Sequence, residues 1–137
     1  DIGDPKVVFG DTVKLYDTDA SGLIYFGAAT RWVTDATFEL MRVIGRVISF
    51  DGGWVTPVRA ANLEYVGMLG IGDDISVSAW FSRVGNTSFD IEVDIARSGA
   101  TCVRATMTHV HVHLAEGRTG PVPPEIAGLR VAQRRAT

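Results

Sequence analysis

The segment that decides the fold is LYDTDASGLIYFGAATRWVTDATFELMRVIG, residues 15–45. From about Tyr25 onward Ala28, Ala29, Trp32, Val33, Ala36, Leu40, Val43 and Ile44 recur at spacings of three and four. That pattern predicts a helix of about twenty residues with a wide apolar face. Arg31, Thr34, Asp35, Glu39 and Arg42 mark its polar side, and Gly45 follows the last periodic residue, where a left-handed cap belongs. Ahead of the helix, Asp17 and Asp19 end what reads as a strand, and a turn through Ser21 and Gly22 follows. A chain that places acids just where it begins to bury itself either caps a turn with them or reacts through them.

Around this helix nearly everything reads as sheet. VVFGDTVKLY is a strand before it. After Gly53, TPVRAANLEYV is strand-like, with a slip in alternation near Ala60 and Ala61 that predicts a bulge. In the next two strands Ile75, Val77, Ala79 and Phe81 face one way, as do Phe89, Ile91, Val93 and Ile95. Gly85-Asn86 joins those two runs as a hairpin turn, and Ser98-Gly99 leads into TCVRATMTHVHVHL. The tail GRTGPVPPEIAGLR predicts a short helical turn. One amphipathic helix and one antiparallel sheet make an α+β layer pair in which the sheet curls around the helix. Open sheet edges then favour pairing with a second copy, a homodimer.

Composition bounds the function. The 137 residues are 46% hydrophobic and 21% charged with a net charge of −3, which predicts one folded domain spanning 1–137 and no broad phosphate-binding surface for nucleic acid. The single Cys102 makes an internal disulfide framework impossible. No run reaches the roughly 18 apolar residues of a membrane helix, and no leader pattern opens the chain. A cytoplasmic location is the expectation.

The whole layout, with YDTDASGLIYFG between first strand and helix, resembles the hot-dog-fold thioesterases of the 4-hydroxybenzoyl-CoA thioesterase and YbgC-like group. ANLEYVGMLGIGDDISVSAWF and RATMTHVHV with GRTGPVPPEI are similar to later strands of that group. The resemblance implies an acyl-CoA thioesterase, aromatic acyl groups among its substrates, that needs no cofactor or metal. It places the catalytic carboxylate at Asp19 and the carbonyl-binding backbone N–H at Phe26, where YbgC-like members often carry His. It further implies a homodimer, with pairing of dimers into a homotetramer left open.

The chemistry agrees. Thioester hydrolysis needs stabilisation of charge on the carbonyl oxygen and a nucleophile, either water through a base or the carboxylate itself. A helix N-terminus, with unpaired N–H groups and about half a positive charge, supplies the first. Asp19 supplies the second, as base or as nucleophile. Gly22 and Gly27 bracket the helix start and let a substrate approach the backbone, with Tyr25 and Trp32 as further substrate contacts. Asp17 lies on the other side of an extended segment and reads as structural or solvated. Glu64 is a reserve carboxylate, and Arg59, Arg83, Arg97 and Arg104 are equivalent candidates for coenzyme A phosphates.

HVHVH invites a metal, yet its outer histidines stand roughly 13 Å apart along a strand and no nearby cysteine or carboxylate completes a zinc set. A change of phase near Thr108 predicts a bulge that leaves the histidines on the outer face. Competing functions are release of a polyketide-like chain from an acyl carrier protein and a non-catalytic acyl-binding module. A hot-dog dehydratase would need a histidine at the helix start, and all three here lie on the last strand.

Overall fold

The computed structural model describes residues 5–25, 27–46 and 52–129. Five strands form one antiparallel sheet: β1 (Lys6–Thr12), β3 (Val58–Tyr65), β4 (Asp74–Val84), β5 (Ser88–Arg97) and β6 (Ala100–Val110). Their order across the sheet is β1-β4-β5-β6-β3. The helix α1 (Ala28–Val43) lies on one face and packs chiefly against β4, β1 and β5. This is the hot-dog architecture expected from the sequence. A second, three-stranded ribbon of two-residue strands was not anticipated: β2 (Trp54–Val55), β7 (Val112–His113) and β8 (Arg118–Thr119), in the order β2-β7-β8. A short helix α2 (Pro124–Ala127) follows, where the proline-punctuated tail predicted one.

The core is the meeting of two periodicities. Ala28, Ala29, Trp32, Val33, Ala36, Leu40 and Met41 are buried on α1, against alternate residues of the sheet such as Val77, Phe81, Ile91, Val93 and Ile95. Each large side chain so enclosed contributes roughly 2 kcal/mol of transfer free energy. Val43, assigned to the apolar face by spacing, is half exposed at the last turn.

The helix is also shorter than its pattern, 16 residues rather than about twenty. Ahead of it the Ile24 and Tyr25 amides donate to the Leu69 and Asp17 carbonyls, within the loop that leads into the helix. Its end is as predicted: Gly45 has φ +84°, and the Arg46 N–H returns 2.9 Å to the Met41 carbonyl.

Turns and irregularities follow their residues. Ser98 and Gly99 both have positive φ (51° and 79°), as a two-residue hairpin turn that matches strand twist requires. The slip near Ala60 is a register shift between Val58 and Ala60 against β6.

The change of phase in β6 is not a bulge near Thr108, since pairing with β5 is regular there. The strand instead stays in phase through His109 and leaves the sheet at His111, so His109 points inward with Val103, Ala105 and Met107. This corrects the expectation of outward-facing histidines: His109 is only 5% exposed.

Candidate active site

Between β1 and α1 the chain makes a single 3-10 turn, Leu15–Asp17, that turns Asp17 inward. Its carboxylate, 2% exposed, accepts the Lys14 N–H at 2.9 Å and Arg31 Nη2 at 2.9 Å. Its carbonyl accepts the Tyr25 N–H at 3.2 Å. Arg31 also reaches Asp11 at 3.4 Å, and Asp11 accepts Trp32 Nε1 at 2.9 Å. Burial alone would raise the pKa of Asp11, but bonds from Trp32, the Thr12 amide and Arg31 hold it below the usual carboxylate value. Asp11, Asp17, Arg31 and Trp32 thus tie the end of β1 and the acid-bearing loop to the first turn of α1.

Asp19 sits at the tip of that loop, above the Thr18–Ile24 pair. Its N–H donates to the Leu23 carbonyl at 2.9 Å and its carbonyl accepts the Gly22 N–H at 3.0 Å, a tight turn closed by Gly22 at φ +80°. The carboxylate is exposed. Bonds from the Ser21 hydroxyl and then the Ser21 N–H (2.8 Å) hold its pKa below the ordinary value. It is therefore an anion at neutral pH. Two main-chain bonds fasten the tip to the connection between β3 and β4: Ile24 N–H to Leu69 O and Ile71 N–H to Gly22 O, both 2.9 Å.

The helix that follows begins without neutralisation. Gly27 is its N-cap residue, no side chain caps it, and no acidic residue lies in its first turn. Its positive end is met by no acid, although the Ala28 and Thr30 amides donate to the Tyr25 and Gly27 carbonyls at 3.0 and 3.2 Å. Phe26, the proposed carbonyl-binding amide, lies outside the described residues. Tyr25 is 45% exposed, and its ring lies against Gly27, where an added Cβ would meet it at 3.2 Å. Gly22, Tyr25 and Gly27 are thus gathered around the loop and the helix start. Trp32 is not among them: it is fully enclosed and spends its N–H on Asp11.

The remaining candidates disperse. Glu64 is exposed on the edge strand β3. Arg83 is paired with Asp90 and Arg97 with Asp73, each at 3.0 Å. The three histidines take separate roles: His111 stacks on Trp54 at 4.5 Å, His113 meets the same ring edge-on, and His109 stacks on Phe89. Sequence reasoning missed the Arg31 network by placing Arg31 on the solvent side of α1. The available signal was charge: the acids at 11 and 17 pair with a single cation one turn into the helix.

A sheet curled on one helix, with an acid on a pinned turn before that helix's uncapped start, is the hot-dog architecture of the thioesterases. The chain belongs to the Thioesterase-like superfamily, which it matches over residues 13–129. It is 26% identical over 131 residues to the 1,4-dihydroxy-2-naphthoyl-CoA hydrolase of Thermosynechococcus vestitus, covering 92% of this chain and 90% of that one. The enzyme of that name from Acaryochloris marina is 23% identical over 121 residues, 84% of this chain and 88% of its own. The crystal structure of a 1,4-dihydroxy-2-naphthoyl-CoA thioesterase from Synechocystis superposes with a TM-score of 0.77 at 20% identity, over 88% of this chain and 91% of that one.

Proposed function

We propose that this chain hydrolyses an aromatic acyl-CoA thioester to the free acid and coenzyme A, with Asp19 as base or nucleophile. The observation that carries the reading is local. An ionised, exposed carboxylate is held on a backbone-fastened turn that feeds directly into an uncapped helix N-terminus. Charge developing on the thioester oxygen meets the unneutralised helix end, with the Phe26 amide as the polarising group by analogy with the family motif. Gly22, Tyr25 and Gly27 contact the substrate. The aromatic preference follows the substrates in the relatives' names.

A homodimer belongs to the same reading. β3 is an edge strand of eight residues, all exposed except Leu63, and carries the exposed apolar side chains Val58 and Tyr65. A long exposed edge of this kind is a template for pairing with a second chain. Sedimentation at twice the monomer mass is expected, and a monomer at micromolar concentration contradicts it.

The reaction itself is tested with free-thiol detection on aryl- and alkyl-CoA thioesters. Asp19→Asn should keep its fold and lose most of its turnover. Hydrolysis at the unmutated rate in that variant removes Asp19 from the mechanism.

A further inference from the structure

The helix α1 covers chiefly the β1-β4-β5 half of the sheet, and a cavity of about 580 Å³ lies beside it towards β6 and β3. Phe38, Met41 and Met107 line it together with the polar Asp35, Thr56 and His109. The His109 ring lies flat on Phe89, with centroids 5.1 Å apart. Its Nδ1 stands 2.9 Å from the Thr56 carbonyl, which only accepts, so Nδ1 carries the hydrogen. Burial lowers the pKa of the ring, against the smaller opposing effects of that bond and of Asp90, so it is neutral at pH 7. Nε2 is buried and has no hydrogen-bond partner among the described residues. His109 does not reach Asp19 of the same chain. It is level with Val58 at one end of β3, whereas the Asp19 loop is fastened beyond Tyr65 at the other, roughly 23 Å away by strand rise. What holds the acid lies on its own loop.

There, Ser21 brings two donors to one atom. Its hydroxyl and its N–H (2.8 Å) both end on Asp19 Oδ1, which leaves Oδ2 as the oxygen to react. The turn does not need the hydroxyl. Bonds from Asp19 N–H to Leu23 O and from Gly22 N–H to Asp19 O close it, and Gly22 supplies the left-handed φ. The amide of residue 21 would be there with any side chain but proline. Among the described residues, the hydroxyl spends its one bond on the acid. An exposed carboxylate without such bonds rotates among three staggered wells about Cα–Cβ. Two charge-assisted bonds from different points of Ser21 select one of them. They also favour the anion: the hydroxyl, and then the amide, are the chief causes of the lowered Asp19 pKa.

We propose that Ser21 is a positioning residue for thioester hydrolysis, whose hydroxyl holds Asp19 Oδ1 and thereby aims Oδ2 at the reacting carbonyl or at the water that attacks it. The inference rests on the Asp19 reading and adds what orients the acid. It assigns Ser21 no contact with the substrate, so its effect belongs in kcat and in the titration of Asp19 rather than in KM.

The test uses Ser21→Ala, which removes the hydroxyl and keeps the amide, and Ser21→Thr, which restores a hydroxyl. Each is assayed on whichever aryl- or alkyl-CoA thioester the unmutated protein turns over fastest. Ser21→Ala should lower kcat by about 3–10-fold with KM within about twofold and the melting temperature unmoved. Because the lost bond favoured the anion, the acid limb of its kcat/KM profile should move to higher pH. Ser21→Thr should return both towards the unmutated values. In an Asp19→Asn background Ser21→Ala should cost nothing further, since Ser21 acts only through the acid.

An unchanged kcat in Ser21→Ala, an unmoved acid limb, or an equal loss in the Asp19→Asn background each overturns the inference. Full turnover by Asp19→Asn alone is a different result, and it brings down the Asp19 reading itself. A measurement independent of turnover follows the Asp19 carboxyl carbon by NMR. Its midpoint should lie below pH 3.8 in the unmutated protein and rise in Ser21→Ala, and coincident midpoints also overturn the inference.

Discussion

The acid-bearing loop and the cavity wall treat buried polar atoms in opposite ways. In the loop the described inward polar groups are spoken for: Asp17 by Lys14 and Arg31, Asp11 by Arg31 and Trp32, the Asp19, Gly22 and Tyr25 amides by carbonyls of the loop itself, and the Ile24 amide by the Leu69 carbonyl. At the wall, His109 keeps one nitrogen satisfied and one bare. A fully bonded loop fixes geometry, which is what an acid needs to meet a reacting carbonyl. An unmet acceptor fixes nothing by itself. The same short chain thus has one region where inward polar groups are paired and another where one is left bare.

Perturbing either region should have effects of very different size and kind. Asp19→Asn is the largest. It should reduce turnover by about 10²–10⁴-fold, the usual worth of a positioned acid or base, with the melting temperature nearly unmoved because the side chain is exposed. A calorimetric scan beside the thiol-release assay separates the two. Within the network, Arg31→Met should cost about 3 kcal/mol in urea unfolding, since it strands the nearly enclosed Asp17 carboxylate with only the Lys14 amide.

Asp17→Asn should cost less, about 1–2 kcal/mol, because the half-exposed Arg31 keeps Asp11 and finds water. The reverse order would show that the loop is not held by a buried acid.

The smallest effect is in pH. The folded His109 resists protonation, so the unfolded chain takes up its proton first. Stability should therefore be complete above about pH 6.5 and begin to fall below it. Asp11, depressed in the folded state, loses its contribution only below about pH 3.8, as its folded pKa is passed. Unmutated protein should show both limbs in a melting-temperature profile, and His109→Phe should lose the earlier one. A profile unchanged in that variant would show that His109 is not the buried neutral ring described.

Long periodic stretches told the truth about the fold. The alternation from Phe89 to Ile95 and the turns at Gly45 and Ser98-Gly99 stand where their residues put them, and the three-and-four spacing of α1 holds from Ala28 to Leu40, though the helix is shorter than the pattern. The β2-β7-β8 ribbon was illegible because strands of two residues carry no period. His109 was misplaced because one continuous strand was read through His113, while the chain leaves the sheet at His111; only the tertiary path reveals that break. For the candidate site the acidic motif and its glycines were plain in sequence; Asp17, read as structural or solvated on an extended segment, is structural, buried on a 3-10 turn. Which inward group would lack a partner was not plain, since that depends on groups brought together from 53 positions apart, as with the Thr56 carbonyl and the His109 ring.

The two stitches between residues 22–24 and residues 69–71 join peptide groups only. Nothing in them depends on which side chains those positions carry, beyond the room they need. A chain built this way can have its surrounding side chains rewritten, residue after residue, while the Asp19 turn is left standing in the same spot.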